Sequence, residues 1–473
     1  MKKVKIVATI GPATNTEEKI KQLIQAGVDV FRFNFSHGDH ETHRSNLEKI
    51  RKVSKELGRE VAILQDLSGP KIRIGEVKEP FYLHYEDRIK IVKREVIGDK
   101  NRISINHPEI LDKLNIGDRI YIADGMIRLK VIDKDDEGVL CQVVVGGMIS
   151  SRKGVNFPNL KLDIPAITDK DRDDIKFGIQ IGIDIVALSF VKTADDVIEA
   201  KKFIRDNGGD APLFAKIEKH EAIENIDSII EVADGIMVAR GDLGVEIDME
   251  KVPVLQKMII SKCNSAGKPV ITATQMLTSM LTSPRPTRAE VSDIANAVLD
   301  GTDAVMLSDE TAVGKYPVES VNVMRRTIEE TEKIYPFYRQ LSSDGDVTSA
   351  VASAGSSLAR DLKASAIVAF TRSGRTAINV AKYRPECEIL GVTHDIKTFR
   401  RLNIVWGVRP YMIIEEGLDT DQMLKQFART AYRSKFTEDD VVVALLGFVG
   451  GVTGSTSIVR VIRKEDLQQL MDD

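Results

Sequence analysis

The sequence predicts an α/β protein: a (β/α)8 TIM barrel carrying an inserted β-barrel lid domain and followed by a C-terminal α/β open-sheet domain. Three observations predict it. Eight short Val- and Ile-rich runs begin near Val4, Val28, Val61, Ile183, Pro212, Asp234, Pro269 and Asp303, mostly with helical-period stretches between them. Their spacings are 24, 33, 122, 29, 22, 35 and 34 residues, so one gap is too long for a single βα unit. After residue 346 a further alternation of helices and strands begins. A doubly wound open sheet fits the same periodicity, because spacing alone does not demonstrate closure.

Length and composition agree with this division. At about 150 residues per domain, 473 residues suggest roughly three domains. With 42% hydrophobic and 29% charged residues the chain reads as globular, neither disordered nor membrane-spanning. A net charge of −4 leaves no basic field for nucleic acid. The dispersed Cys141, Cys263 and Cys387 form neither a disulfide framework nor a zinc set, which predicts a cytoplasmic protein. The N-terminal run 4–9 lacks the apolar stretch of a signal peptide and reads as the first strand.

The catalytic barrel is assigned to residues 1–69 and 169–341, the inserted domain to 70–168 and the C-terminal regulatory domain to 342–473. The insertion's texture is antiparallel, with candidate strands at 81–85, 119–122 and 139–145 and a turn at Asp124-Gly125. It leaves the third strand at the C-terminal end, where barrel active sites lie, and is placed to act as a lid. The last domain should hold helices at 347–362, 376–383 and 421–434 and strands at 366–370, 389–393 and 441–446.

Strand C-termini share one rim, so the residues there decide the chemistry. After the second strand, Arg32, Asn34 and Ser36 alternate with Phe33 and Phe35, turning one polar and one aromatic face. The third ends in Gln65-Asp66-Leu67-Ser68-Gly69-Pro70-Lys71-Ile72-Arg73, where Lys71 and Arg73 fit either phosphates or a solvated hinge. Lys216 and Glu218 stand two apart on the fifth strand end, as an internal ion pair or as site groups. Gly241 and Gly244 flank Asp242 after the sixth, so Glu218 and Asp242 offer hard oxygen ligands suited to Mg2+ or Mn2+ rather than zinc. Thr274 and Ser308 add hydroxyls, which either relay protons or cap helices. Together these groups fit a metal-bridged phosphorylated anion, while neither a GxxxxGK[ST] loop nor a strand-linked GxGxxG is present.

The strings RFNFSHG (32–38), SGPKIR (68–73), KGVN (153–156), MVARGDLG (237–244), ATQML (273–277), PRPTRAE (284–290) and NAVLDGTDAVMLS (296–308), with Lys216 and Glu218, resemble the pyruvate kinase family across the whole chain. The resemblance implies phosphoryl transfer from phosphoenolpyruvate to ADP with Mg2+, in a homotetramer under allosteric control. It assigns Glu218 and Asp242 to Mg2+, and Arg32 and Lys216 to the transferring phosphoryl group. The backbone at Gly241 and Asp242 would take the substrate carboxylate, with Thr274 beside the enolate and Thr274, Ser308 or water as its proton source. Asn34, Phe35, Ser36, His37, Arg73 and Lys153 would contact nucleotide. The family's K+ ligands match Asn34, Ser36, Asp66 and a threonine where this chain has Leu67, with a glutamate at the place of Lys71. Leu67 and Lys71 depart from that pattern, so the expectation is that Lys71 substitutes for K+ and that K+ is not required. The segment Thr371-Arg372-Ser373-Gly374-Arg375-Thr376 would hold an effector phosphate. The second loop, residues 447–455, carries no Arg or Lys, so AMP or a sugar phosphate fits as well as fructose 1,6-bisphosphate.

Two other readings account for part of these residues. A Mg2+-dependent aldolase or lyase acting on pyruvate enolate shares the Glu/Asp pair but leaves Lys216, Arg73 and the lid without a role. A catalytically dead scaffold conflicts with a site set intact apart from the K+ positions.

Overall fold

The computed structural model describes residues 2–158, 160–161, 164–341, 345–431, 436, 440–447, 456–463 and 465–466. Eight parallel strands close into a barrel: Lys5–Thr9, Val30–Asn34, Ala62–Asp66, Ile185–Leu188, Leu213–Ile217, Gly235–Ala239, Val270–Ala273 and Ala304–Leu307. Closure is made by the first and eighth strands, with Lys5 opposite Ala304 and Ala8 opposite Leu307. All eight runs expected from the sequence are present in this ring. The strands are buried on both faces, which is why they read as continuous apolar runs rather than as alternation. Val7, Leu64, Phe214, Met237, Ile271 and Met306 fill the interior, and a shell of Ile, Leu and Val holds the helices outside.

Helix boundaries follow from local chemistry. Thr168 and Asp171 form a capping box at the start of Asp169–Ile181, and Gly182 ends that helix at φ 79°. In the string PRPTRAE, Thr287 and Glu290 form the same device for Arg288–Asp300, and Glu290 also accepts from Ser279 N at 2.7 Å. At the opposite rim, four aspartates that precede strands accept an N–H from the neighbouring strand. Asp29 takes Ile6 N at 2.8 Å, Asp184 takes Ile63 N at 2.7 Å, Asp234 takes Leu213 N at 2.8 Å and Asp303 takes Val270 N at 2.9 Å.

The barrel expected of the inserted domain takes the form of two sheets around one core. A six-stranded sheet contains Arg119–Ile122, Ile127–Asp135 and Gly138–Val145, and a two-stranded ribbon pairs Phe81–Leu83 with Gly147–Ile149. Register shifts at Arg128/Leu129 and Val131/Asp133 mark bulges in the long strand. The C-terminal domain is a five-stranded sheet ordered Val408–Ile413, Glu388–Thr393, Ala366–Phe370, Val442–Gly447, Thr456–Ile462, the last strand antiparallel. Helices Val347–Asp361, Arg375–Ala381 and Thr420–Ala431 meet the expected ones within a few residues. The end of the third expected helix, 432–434, and the polar break at 342–344 lie outside the described residues. Among the described residues no helix is long and apolar enough to cross a membrane.

Candidate active site

The rim collects a compact set of opposite charges. Asp66, at the end of the third strand, is 1% exposed and stands between two cations. Arg32 Nε donates to its Oδ2 at 2.6 Å, and Lys216 Nζ to its Oδ1 at 3.0 Å. Arg32 also reaches Thr9 Oγ1 at 3.0 Å, so two neighbouring strands hold the guanidinium. Lys216 is tied further to Ser189 Oγ at 2.7 Å and Glu218 Oε1 at 2.8 Å. Burial alone would depress the Lys216 pKa, but the charges of Asp66 and Glu218 reverse this and raise it above the ordinary lysine value. Burial likewise pushes the Asp66 carboxyl up, and Arg32 followed by Lys216 brings it below the usual carboxylate range. The Lys216–Glu218 ion pair thus exists and also belongs to the site.

Glu218 accepts the Phe190 N–H through Oε2 at 2.7 Å, and Phe190 is held at φ 56° to present it. Asp242 is different. Its carboxylate makes no hydrogen bond or ion pair to a described residue, and burial followed by the charge of Glu218 pushes its pKa up to about 6. Two carboxylates with one left uncompensated are an arrangement that a divalent cation relieves.

Around the sixth and seventh strand ends the backbone is strained. Thr274 and Gln275 lie at φ 68° and 57°. Thr274 Oγ1 accepts from Gly241 N at 2.7 Å and donates to Ala273 O at 2.6 Å. The Gly241 N–H expected to face a carboxylate is therefore engaged with Thr274. Arg240 buttresses the turn through Thr274 O at 2.7 Å and Asp293 Oδ1 at 2.7 Å. Ser308 precedes Asp309–Ala312, but its hydroxyl makes no cap bond. The Glu310 carboxylate receives the Ser308 N–H at 2.7 Å instead, so capping is not the task of this hydroxyl.

A cavity of about 570 Å³ opens between the rim and the inserted domain, lined by His37, Lys71, Arg73, Lys153, Asn156 and Asp242 among others. Arg73 is braced by Arg152 O at 2.8 Å. Burial, then Lys71 and Arg73, hold the His37 pKa below its usual value. Asn34 Oδ1 accepts from Ser36 N at 3.1 Å, and Lys71 Nζ donates to Ser36 Oγ at 3.1 Å. Burial and then Lys216 lower the Lys71 pKa. Leu67 is 1% exposed and packs in the barrel shell. Of the residues selected for nucleotide, Asn34, Phe35 and Ser36 do not line the cavity; Phe35 is 2% exposed and stacks on His43 with ring centroids 4.1 Å apart. Its side chain is core, and only its backbone is near the rim.

Sequence reasoning passed over Ser189 and Phe190, although both directly follow the fourth strand. Asp124 of the inserted domain, expected only as a turn residue, sits at φ 56° in a left-handed turn and also lines the cavity. In the C-terminal domain Gly374, at φ 88°, caps Arg375–Ala381. Arg372, Ser373 and Arg375 are exposed there, while Thr371 and Thr376 are buried, Thr376 against Thr456 at 2.8 Å. Residues 448–455 of the second loop lie outside the described residues.

With this geometry in place, comparison with known proteins decides the family. Residues 1–321 match the model described as pyruvate kinase, barrel domain, and residues 349–462 match pyruvate kinase, alpha/beta domain. The chain belongs to the pyruvate kinase family. It is 47% identical to pyruvate kinase 2 of Synechocystis sp. over 97% of this chain and 79% of that protein. It is 43% identical to the pyruvate kinase of Clostridium acetobutylicum over 98% of this chain and 99% of that one. The crystal structure of a pyruvate kinase from Cryptosporidium parvum superposes with a TM-score of 0.91 at 37% identity, covering 98% of this chain and 96% of its own. Family membership makes the chain a phosphotransferase, and the rim cluster lies within residues 1–321, the part that matches the barrel-domain model.

Proposed function

We propose that this site moves the phosphoryl group of phosphoenolpyruvate to ADP, yielding ATP and pyruvate as the final step of glycolysis. The observation that carries the reading is the buried Arg32–Asp66–Lys216–Glu218 cluster lying next to Asp242, which lines the cavity. The two carboxylates of Glu218 and Asp242 suit Mg2+, or Mn2+ in its place, which takes much of its shell from substrate and water. Glu218 and Asp242 would hold it, and when bound it supplies charge neutralisation to the phosphoryl and carboxylate oxygens.

The chain's own groups do the rest. Lys216 is charged throughout the neutral range and faces the oxygens of the transferring group, where negative charge is concentrated in the transition state. Arg32 arrives already oriented by Asp66 and Thr9, so little order is lost on binding. The P–O bond to the enol oxygen breaks as an ADP oxygen takes the phosphorus, and the enolate carbon then takes a proton. Thr274 has its own proton committed to Ala273 O, which leaves it a positioning group for the Gly241 turn. Asn34, Ser36, His37, Arg73 and Lys153 surround the nucleotide, and the inserted domain excludes water on closing.

Lys71 places its ammonium on Ser36, among groups that match the family's K+ ligands, and Leu67 offers no hydroxyl. We therefore read the enzyme as K+-independent. Residues 371–376 are the proposed effector phosphate site, and a cytoplasmic homotetramer is the proposed working form. The test is ATP formation from phosphoenolpyruvate, ADP and Mg2+ by the full chain; absence of turnover overturns the proposal.

A further inference from the structure

The turn that carries His37 into the mouth is held mainly from outside itself. Past the second strand, its own backbone bond runs from His37 N to Asn34 O at 3.1 Å. Two side chains from other elements take its carbonyls. Lys170 Nζ donates to Phe35 O at 2.8 Å, and the ring of His43 meets His37 O through Nε2 at 3.1 Å. Lys170 is exposed and shares its ammonium with Asp174 at 2.6 Å, whereas His43 is only 6% exposed.

His43 touches the turn in three ways. Asp39 starts the helix His40–Leu57 by accepting from Thr42 N, which sets His43 one turn in. There its ring stacks on Phe35 with centroids 4.1 Å apart and planes 13° apart, and on Phe33 at 5.6 Å. Gly38, at φ 75°, passes so close that a β-carbon on it would stand 3.5 Å from His43 Nε2. The third contact is the bond to His37 O. A carbonyl oxygen only accepts, so Nε2 carries the hydrogen and Nδ1 is bare. Nδ1 is buried with no hydrogen-bond partner, and burial pushes the His43 pKa below its usual value against the weaker pulls of His37 O and Asp174. The ring is therefore a neutral, single donor at physiological pH.

We infer that His43 is a positioning residue for the nucleotide: its N–H fixes the His37 carbonyl, and with it the direction in which His37 enters the mouth. His37 lines the cavity and His43 does not, so His43 acts through His37. The inference rests on the reading that the mouth takes ADP. It separates the two substrates, because Arg32 is held independently by Asp66 and Thr9. The phosphoenolpyruvate contacts therefore do not pass through His43.

The experiment uses the full chain with Mg2+. His43→Phe keeps the stacked ring and removes the donor, so KM for ADP should rise roughly three- to tenfold. KM for phosphoenolpyruvate and kcat should stay within about twofold, because one hydrogen bond remote from the reacting atoms is lost. Loss of the unpartnered Nδ1 offsets loss of the bond, so the melting temperature should change little. His43→Gln places an amide nitrogen near the position of Nε2 and should bring KM for ADP back toward that of the parent. Calorimetric titration with ADP and Mg2+, without phosphoenolpyruvate, should rank the three proteins in the same order. An unchanged KM for ADP in His43→Phe, equal losses for both substrates and kcat, or His43→Gln no better than His43→Phe overturns the inference. A parent that binds ADP but forms no ATP overturns the functional reading instead, and the titration then still decides the role of His43.

Discussion

The barrel holds a buried aspartate between cationic and polar groups at both of its ends, and the two ends do opposite things. At the lower end Asp303 takes Arg384 Nη1 at 3.0 Å, Val270 N at 2.9 Å and Trp406 N at 3.3 Å, which bolts the C-terminal domain to the barrel. Arg384 also donates to Gly301 O at 2.8 Å. Only 1% of the Arg384 side chain is exposed, and the cavity beside the cluster is only about 10 Å³. At the upper end Asp66 is equally buried, but its lysine leads through Glu218 to Asp242, which makes no hydrogen bond or ion pair to a described residue and lines a cavity of about 570 Å³. Burial and ion pairing are common to both ends. What marks the catalytic one is charge left uncompensated next to space for a ligand.

The difference can be broken by removing one cation at each end. Lys216→Met should lower kcat by about 100- to 1,000-fold, a loss of roughly 2.7–4 kcal/mol of transition-state stabilisation. Water from the cavity can replace the lost ammonium, so circular dichroism and thermal melting should show the fold kept. Arg384→Met should do the reverse. The cavity beside this cluster is only about 10 Å³, too small to resolvate Asp303, so denaturant titration should show a stability loss of about 3–5 kcal/mol, with kcat nearly unchanged. If Arg384→Met instead lost activity at full stability, the distinction between the two ends would fail.

Two smaller effects sharpen the upper end. Thr274→Val keeps the shape but removes the acceptor of the Gly241 N–H, and should lower kcat about tenfold as the turn carrying Asp242 loosens. The K+ question has a pH signature. The Lys71 pKa lies below that of an ordinary lysine, so its ammonium is present below that pKa and lost above it. In K+-free buffer the rate should therefore fall several-fold on the alkaline side, and K+ should restore part of it there while doing little at neutral pH. A flat alkaline profile without K+ would count against Lys71 as the resident cation.

Much of this was legible in the sequence because it is set by local rules. Strands buried on both faces read as continuous apolar runs, and helix ends read through Thr287, Glu290 and Gly182. The rim cluster was legible because closure of the ring makes every strand end a neighbour. What escaped needed three-dimensional contacts. The strands Val408–Ile413 and Thr456–Ile462 were missed: the first holds Pro410, which argues against a strand interior, and the second is a half-exposed antiparallel edge. The repeated aspartates Asp29, Asp184, Asp234 and Asp303 were visible as residues, but their role depends on the neighbouring strand's free N–H. Phe35 was assigned to nucleotide by motif, although its alternation with Arg32 and Asn34 had already turned it toward the core.

The most direct test of the account is the initial rate of ATP formation from phosphoenolpyruvate, ADP and Mg2+ at neutral pH, measured in Tris or Na+ salts and in K+ salts. Turnover is expected in both, at rates equal within about twofold, if the ammonium of Lys71 takes the place of a bound ion at the mouth. Turnover that appears only when K+ is added, or in neither buffer, would contradict it.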